Sequence, residues 1–103
     1  MAFSSTVDRR GAVVVFAPAG RVDAETVDAF TDALIAAARE AKEADALIVD
    51  LSDLAFMVSR GLRALTMAQR EGATIQLARP NAQMSEILAI SRYDKLFPIV
   101  SAP

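Results

Sequence analysis

Residues 47–65 read LIVDLSDLAFMVSRGLRAL. From Leu47 to Met57 the run is apolar, broken only by Asp50, Ser52 and Asp53. Its first residues, Leu47-Ile48-Val49, are continuous and rich in β-branched side chains, which predicts a strand buried on both faces. At Ser59 the spacing changes. Leu62, Leu65 and Thr66 mark one face of a helix that runs from Ser59 to Glu71. Gly72 then stands where helices favour a glycine. A strand feeding a helix through a short joint is the repeating unit of an alternating α/β fold.

The flanking sequence repeats that unit. Ala12 to Ala17, AVVVFA, reads as a second buried strand, ended by Pro18 and Gly20. Phe3 to Val7 suits a short edge strand, followed by a turn at Arg9-Arg10-Gly11. Asp23 is a good helix N-cap, with Glu25 as a first-turn acid. Val27, Phe30, Leu34, Ala37, Ala38 and Ala41 keep helical spacing through Lys42. Thr74 to Ala78 is a further strand. Pro80 sits where helix starts tolerate proline, and Met84, Ile87, Leu88 and Ser91 mark one helical face. Pro98 to Val100 closes the chain as a short strand. The predicted order is β-β-α-β-α-β-α-β, a single α/β domain over residues 1–103 with a mixed, mostly parallel sheet. The loops before Asp23 and Ser59 should leave the same C-terminal edge of that sheet.

Composition narrows the functions. At 103 residues, 53% hydrophobic and 23% charged, the chain can bury a core without staples. It has no cysteine, which removes disulfides, thiol catalysis and thiolate metal sites. It has no histidine, the commonest metal ligand and neutral-pH base. The net charge is −2 with no basic block, so no nucleic-acid partner is expected. MAFSSTVDRR lacks the apolar core of a signal peptide, and no stretch approaches the ~18 apolar residues of a membrane span. A cytoplasmic location and no direct membrane insertion are expected.

Little in the sequence supports catalysis. Asp23, Asp50 and Asp53 read better as a helix cap and turn-forming acids than as a cation site. Gly11, Gly20, Gly61 and Gly72 are isolated, and no phosphate-cradling glycine pattern occurs. No metal, cofactor or catalytic residue is expected. Ser59 has no histidine to activate it. On residue type alone its first reading is a helix cap. The same hydroxyl, beside unpaired backbone N–H groups, also suits a phosphate, which would add about −1.5 to −2 charge at low local cost. Arg60, Arg63, Met67 and Arg70 share one stripe of the helix and read either as a solvated face or as a docking surface for an acidic partner.

These segments resemble the STAS domain of bacterial anti-sigma factor antagonists. GRVDAETV at Gly20–Val27 is similar to the family's entry into its first helix. LIVDLSDLAFMVSRGLRAL is similar to its strand, switch loop and second helix. REGATIQLARPNAQMSEIL and DKLFPIV are similar to its closing units. The family's switch loop usually reads Asp-Ser-Ser-Gly, and its first serine takes a phosphate from a cognate anti-sigma factor, a serine kinase. Here the loop is Val58-Ser59-Arg60-Gly61. Serine and glycine are kept as Ser59 and Gly61. Val58 replaces the aspartate, and Arg60 replaces the second serine. Arg92 occupies a place near the third helix end where glycine is usual, and many members continue past the position of Pro103 into a final helix. A homodimer is one way to cover the surface that helix would leave.

The resemblance implies a non-enzymatic regulator of transcription that binds an anti-sigma factor serine kinase by partner switching. Ser59 would be the phosphoacceptor, supported by Asp23, Val58, Arg60 and Gly61. Arg60, Arg63, Met67 and Arg70 would contact the partner, and Arg60 brings a cation able to pair with the phosphate. The alternative is a non-phosphorylated STAS subunit of a lipid-transport ABC system or of a signalling scaffold. A nucleotide-binding enzyme on this fold ranks below both.

Overall fold

The structure, a computed structural model, describes residues 3–101. Pro103, past which the resemblance expects a final helix, lies outside the described residues. Among the described residues six strands and four helices follow in the order β1 (Ser4–Arg10), β2 (Val13–Val22), α1 (Val27–Glu40), β3 (Ala46–Asp50), β4 (Leu54–Met57), α2 (Ser59–Arg70), β5 (Ile75–Ala78), α3 (Ala82–Ser91), α4 (Tyr93–Leu96) and β6 (Ile99–Val100). This is the expected α/β architecture with two additions, β4 and α4.

The sheet order is β1-β2-β3-β5-β6, with β4 pairing β2 off this path. Among the described residues only the β1–β2 hairpin is antiparallel; the β2–β3, β2–β4, β3–β5 and β5–β6 pairs are parallel. Gly11 turns the hairpin at φ 61, a conformation that costs glycine least. Strand β2 does not stop at Pro18 as the sequence predicts. Its pairing with β3 ends at Phe16, two residues earlier, so the proline's missing N–H interrupts no bond to that neighbour. Gly20, at φ 97, then carries an irregularity in the register, and the last residues of β2 turn to β4 instead. That change of partner is why residues 47–57 form two strands rather than one. Asp50, Leu51, Ser52 and Asp53 make the corner, with Ser52 N–H donating to Asp50 Oδ1 at 3.2 Å.

One face of the sheet carries the main core. Val14, Phe16, Leu47, Val49, Ile75 and Leu77 from the strands meet Phe30, Leu34, Leu62, Leu65, Met84 and Leu88 from the helices. Alternation puts Val15, Ala46, Ile48 and Ala78 on the opposite face, in a smaller cluster that contains no helical residue. Burying so many β-branched and aromatic side chains in so short a chain supplies the main driving force for the fold.

Helix α3 is capped by Asn81, whose Oδ1 accepts from Met84 N–H at 2.8 Å, rather than started by Pro80. The Asn81 amide also donates to Leu54 O at 2.9 Å, which ties the start of α3 to β4. The helix ends at Arg92, held at φ 65. The left-handed region costs an L-residue roughly 1–2 kcal/mol and glycine little. Arg92→Gly is therefore expected to raise the unfolding free energy by about 0.5–1 kcal/mol, after the entropy glycine adds to the unfolded chain. Urea denaturation checks this. An unchanged or lower midpoint would mean that the arginine side chain makes up for the strain.

Candidate functional site

The C-terminal edge of the sheet brings two helix starts together. Val22 at the end of β2 is in register with Met57 at the end of β4. One residue on, Val58 N–H donates to Val22 O at 2.9 Å. The Asp23 and Ser59 segments therefore leave the sheet side by side, as the topology predicts.

Asp23 is not the N-cap of α1. The helix begins at Val27 after Thr26, and Asp23 shapes the turn before it. Its Oδ1 accepts from Glu25 N–H at 3.0 Å and from Thr26 N–H at 3.1 Å. Thr26 Oγ1 donates to Arg21 O at 2.7 Å and accepts from Asp23 N–H at 2.9 Å. The Glu25 N–H above all, with Thr26, holds the Asp23 carboxyl below the usual aspartate value against the opposing effect of desolvation. The D-x-x-T spacing was the sequence sign of this reciprocal turn. Asp23 is committed to its own loop.

Ser59 is not the N-cap of α2 either. Val58 takes that place in extended conformation, with φ −78 and ψ 166, and the helix start has no side-chain cap. The cap reading of Ser59 is overturned: it is the first helical residue, it is exposed, and its hydroxyl is not spent on the helix. What holds the start of α2 is apolar. Val58 packs half-buried against the main core, and Met57 and Leu62, at staple spacing around the start, are both buried in it. Gly61 is buried beneath Ser59's turn. A β-carbon there would lie 2.6 Å from Met57 Cγ and 2.9 Å from Val22 Cγ1. This glycine is required for space, because α2 lies directly on the β2–β4 pair.

Arg60 is exposed, and its guanidinium donates to Asp28 Oδ1 of α1 at 2.8 Å. The pair bridges the two helices at one end of a groove of about 500 Å³. Val27 and Thr31 line its α1 side. Arg63, Thr66, Met67 and Arg70 line its α2 side. The four residues predicted to share a stripe thus do share one surface, together with Asp28. Met67 is 48% exposed in the midst of the arginines.

Two interactions near this edge were missed by the sequence reading. Arg21 stacks over the Phe56 ring at 4.6 Å, a contact that depends on the β2–β4 register. Asp50 is buried and ion-paired with Arg79, whose backbone is itself left-handed at φ 52. Burial pushes the Asp50 carboxyl up, but the Arg79 hydrogen bond and the Ser52 N–H outweigh it and leave the carboxyl below its usual 3.8. A depressed folded value means that the stabilisation is present above the unfolded pKa and is lost as pH falls through the folded one. Stability should hold at neutral pH and decline below about pH 4. Asp50→Asn should flatten part of that acid limb in urea midpoints measured against pH, and an unaltered limb would show that the ion pair does not contribute to it. The three aspartates are thus accounted for at the turn, the ion pair and the loop; among the described residues no group of three His, Cys, Asp or Glu is placed to hold a metal.

Residues 5–100 match the family model described as Mlab, STAS domain. The chain belongs to the STAS domain family. The fold of the STAS domain recurs in solved structures. An anti-sigma factor antagonist from Mycobacterium paratuberculosis is 23% identical, with 95% of this chain and 85% of that one covered and a TM-score of 0.83. The anti-sigma factor antagonist SpoIIAA in its unphosphorylated form is 16% identical over 95% and 89%, with a TM-score of 0.73. The phosphorylated form of SpoIIAA, described as a Bacillus cell fate determinant, is 19% identical over 95% and 92%, with a TM-score of 0.63. No curated protein sequence matches the chain. Within the STAS fold the exposed Ser59 precedes Arg60, the first α2 residue that lines the groove between α1 and α2, and Gly61 is buried beneath them. Among the described residues no helix is long and apolar enough to cross a membrane.

Proposed function

We propose that this STAS protein is an anti-sigma factor antagonist that binds an anti-sigma factor serine kinase in the cytoplasm and is released by phosphorylation of Ser59. The observation that carries this reading is the exposed Ser59 at the first residue of α2, which caps nothing and adjoins a basic groove. In the transfer step, Ser59 Oγ forms the new O–P bond to the γ-phosphorus of ATP held by the kinase. The bridging P–O bond breaks and ADP leaves. The hydroxyl proton passes to a base on the kinase, since Val58 offers none and the Asp23 carboxylate is engaged in its own loop.

Arg60, Arg63, Met67 and Arg70 supply the partner contacts. Arginine and methionine are residue types that interfaces favour, and the basic charge suits an acidic partner surface. Gly61 and Val58 set the height at which Ser59 is presented, and Asp23 fixes the neighbouring loop. The protein contributes a surface and a phosphoacceptor rather than catalysis. Val58 and Arg60, in place of the family's aspartate and second serine, favour one second reading: a STAS subunit of a lipid-transport ABC system or signalling scaffold whose loop is never modified.

Purification of the tagged protein from its native cells separates the two. Capture of an ATP-binding serine kinase supports the first. Capture of transporter or scaffold subunits without any kinase overturns it in favour of the second.

A further inference from the structure

Ser59 and Arg63 stand four residues apart on α2, with the serine on the N-terminal side. Helices bring side chains at this spacing together, and an anion placed before a cation is the favoured order. Ser59 and Arg60 are adjacent in sequence, and side chains one residue apart do not face each other. Arg60 is moreover engaged across the groove, at 2.8 Å from Asp28. Arg63 is exposed, and among the described residues it has no ion-pair partner.

We propose that Arg63, rather than Arg60, holds a phosphate on Ser59, and that modification thereby withdraws Arg63 from the groove between α1 and α2. The proposal rests on Ser59 being the phosphoacceptor. The charges lining the groove are Arg60, Arg63, Arg70 and Asp28. Arg60 and Asp28 cancel, which leaves Arg63 and Arg70 as a local charge of about +2. A phosphoserine brings about −1.5 to −2, so the surface becomes close to neutral. A modification at the end of the helix is thereby read along the whole groove, without any change of fold. Asp28 has a definite part in this: it retains Arg60, so the phosphate recruits the arginine that is free.

The test is a phosphorus NMR titration of protein carrying phosphoserine at position 59, installed during translation. On α2 the cation four residues from the phosphate is Arg63, with Arg60 adjoining in sequence and Arg70 further along; Asp28 lies on α1, and Arg21, Asp23 and Glu25 lie on the segment that leaves the sheet beside Ser59. In the wild-type background the second phosphate ionisation should fall below its ordinary value near 6, because a nearby cation favours the dianion. Arg63→Ala should raise the midpoint, Arg63→Lys should restore most of the shift, and Arg60→Ala should leave it close to wild type. An equal or larger rise with Arg60→Ala, or no rise with Arg63→Ala, overturns the proposal. Both arginines are exposed, so neither variant should impair folding. Because the phosphate is installed rather than transferred, these outcomes do not depend on a kinase. Absence of Ser59 phosphate in cells would count against the proposed function and leave this ion pair measurable.

Discussion

Ser59→Asp is expected to weaken binding to the kinase partner by at least about tenfold, roughly 1.4 kcal/mol or more. The carboxylate stands at the start of α2, next in sequence to the groove-lining Arg60. An acidic partner docked there would meet a like charge, and burying it unpaired adds desolvation to repulsion. Ser59→Ala should behave differently. It removes the phosphoacceptor without adding charge, so binding should persist and become insensitive to ATP. It should also leave stability within about 0.5 kcal/mol, because an exposed side chain that caps nothing has little to lose. A true N-cap would cost about 1 kcal/mol on the same change. Titration calorimetry with the captured partner, and urea denaturation of the three proteins, measure both effects. Equal affinities for Ser59→Asp and wild type would remove the loop from the interface.

Gly61→Val should have the largest effect on folding. The β-carbon alone would stand 2.6 Å from Met57 Cγ and 2.9 Å from Val22 Cγ1. Both neighbours are buried, Val22 completely, so neither can swing into solvent. Overpacking a tight core typically costs about 1–3 kcal/mol, and the branched side chain adds two further carbons to the same space. Glycine gains helix propensity on replacement, by less than about 1 kcal/mol, which reduces but does not reverse the loss. A net loss of about 2–3 kcal/mol corresponds to a Tm lower by roughly 10–20 °C for a domain of this size. Arg60→Ala, one residue away and exposed, is the control and should shift Tm little. A Gly61→Val protein as stable as wild type would mean that α2 can lift off the β2–β4 pair, and that Ser59 is not held at a fixed height.

The alternation of strands and helices was legible because the apolar runs at 12–17 and 47–49 and the helical spacing from Val27 onward are local patterns. What the sequence concealed depends on pairings between distant segments. Leu54–Met57 lay inside one apolar run, and only its register with the far half of β2 makes it a separate strand. Ser59 and Asp23 were read as caps because their residue types favour that role. Val58 displaces Ser59 through packing and a backbone bond to Val22, which no propensity encodes. Asn81 was legible in principle, since asparagine three residues before Met84 is a cap spacing, but the preceding proline is also a residue that helix starts tolerate. The Arg92 position was expected to prefer glycine, and its φ of 65 gives the physical reason.

The candidate surface divides in the same way. The stripe of Arg60, Arg63, Met67 and Arg70 follows from helical periodicity alone. That it faces α1 across a groove, and that Asp28 engages Arg60 from 32 residues away, requires the packing of the two helices. Arg60 was expected to meet the phosphate because it adjoins Ser59 in sequence. The structure pairs Arg60 with Asp28, and the proposal gives the phosphate to Arg63.

The central claim is that phosphate on Ser59 and a bound partner exclude each other. Protein recovered from native cells can be separated into partner-bound and free pools, and the peptide carrying Ser59 in each pool examined by mass spectrometry. The account predicts phosphate on Ser59 in the free pool and unmodified serine in the bound pool. Equal phosphate in both pools, or Ser59 unmodified under every growth condition, would contradict it.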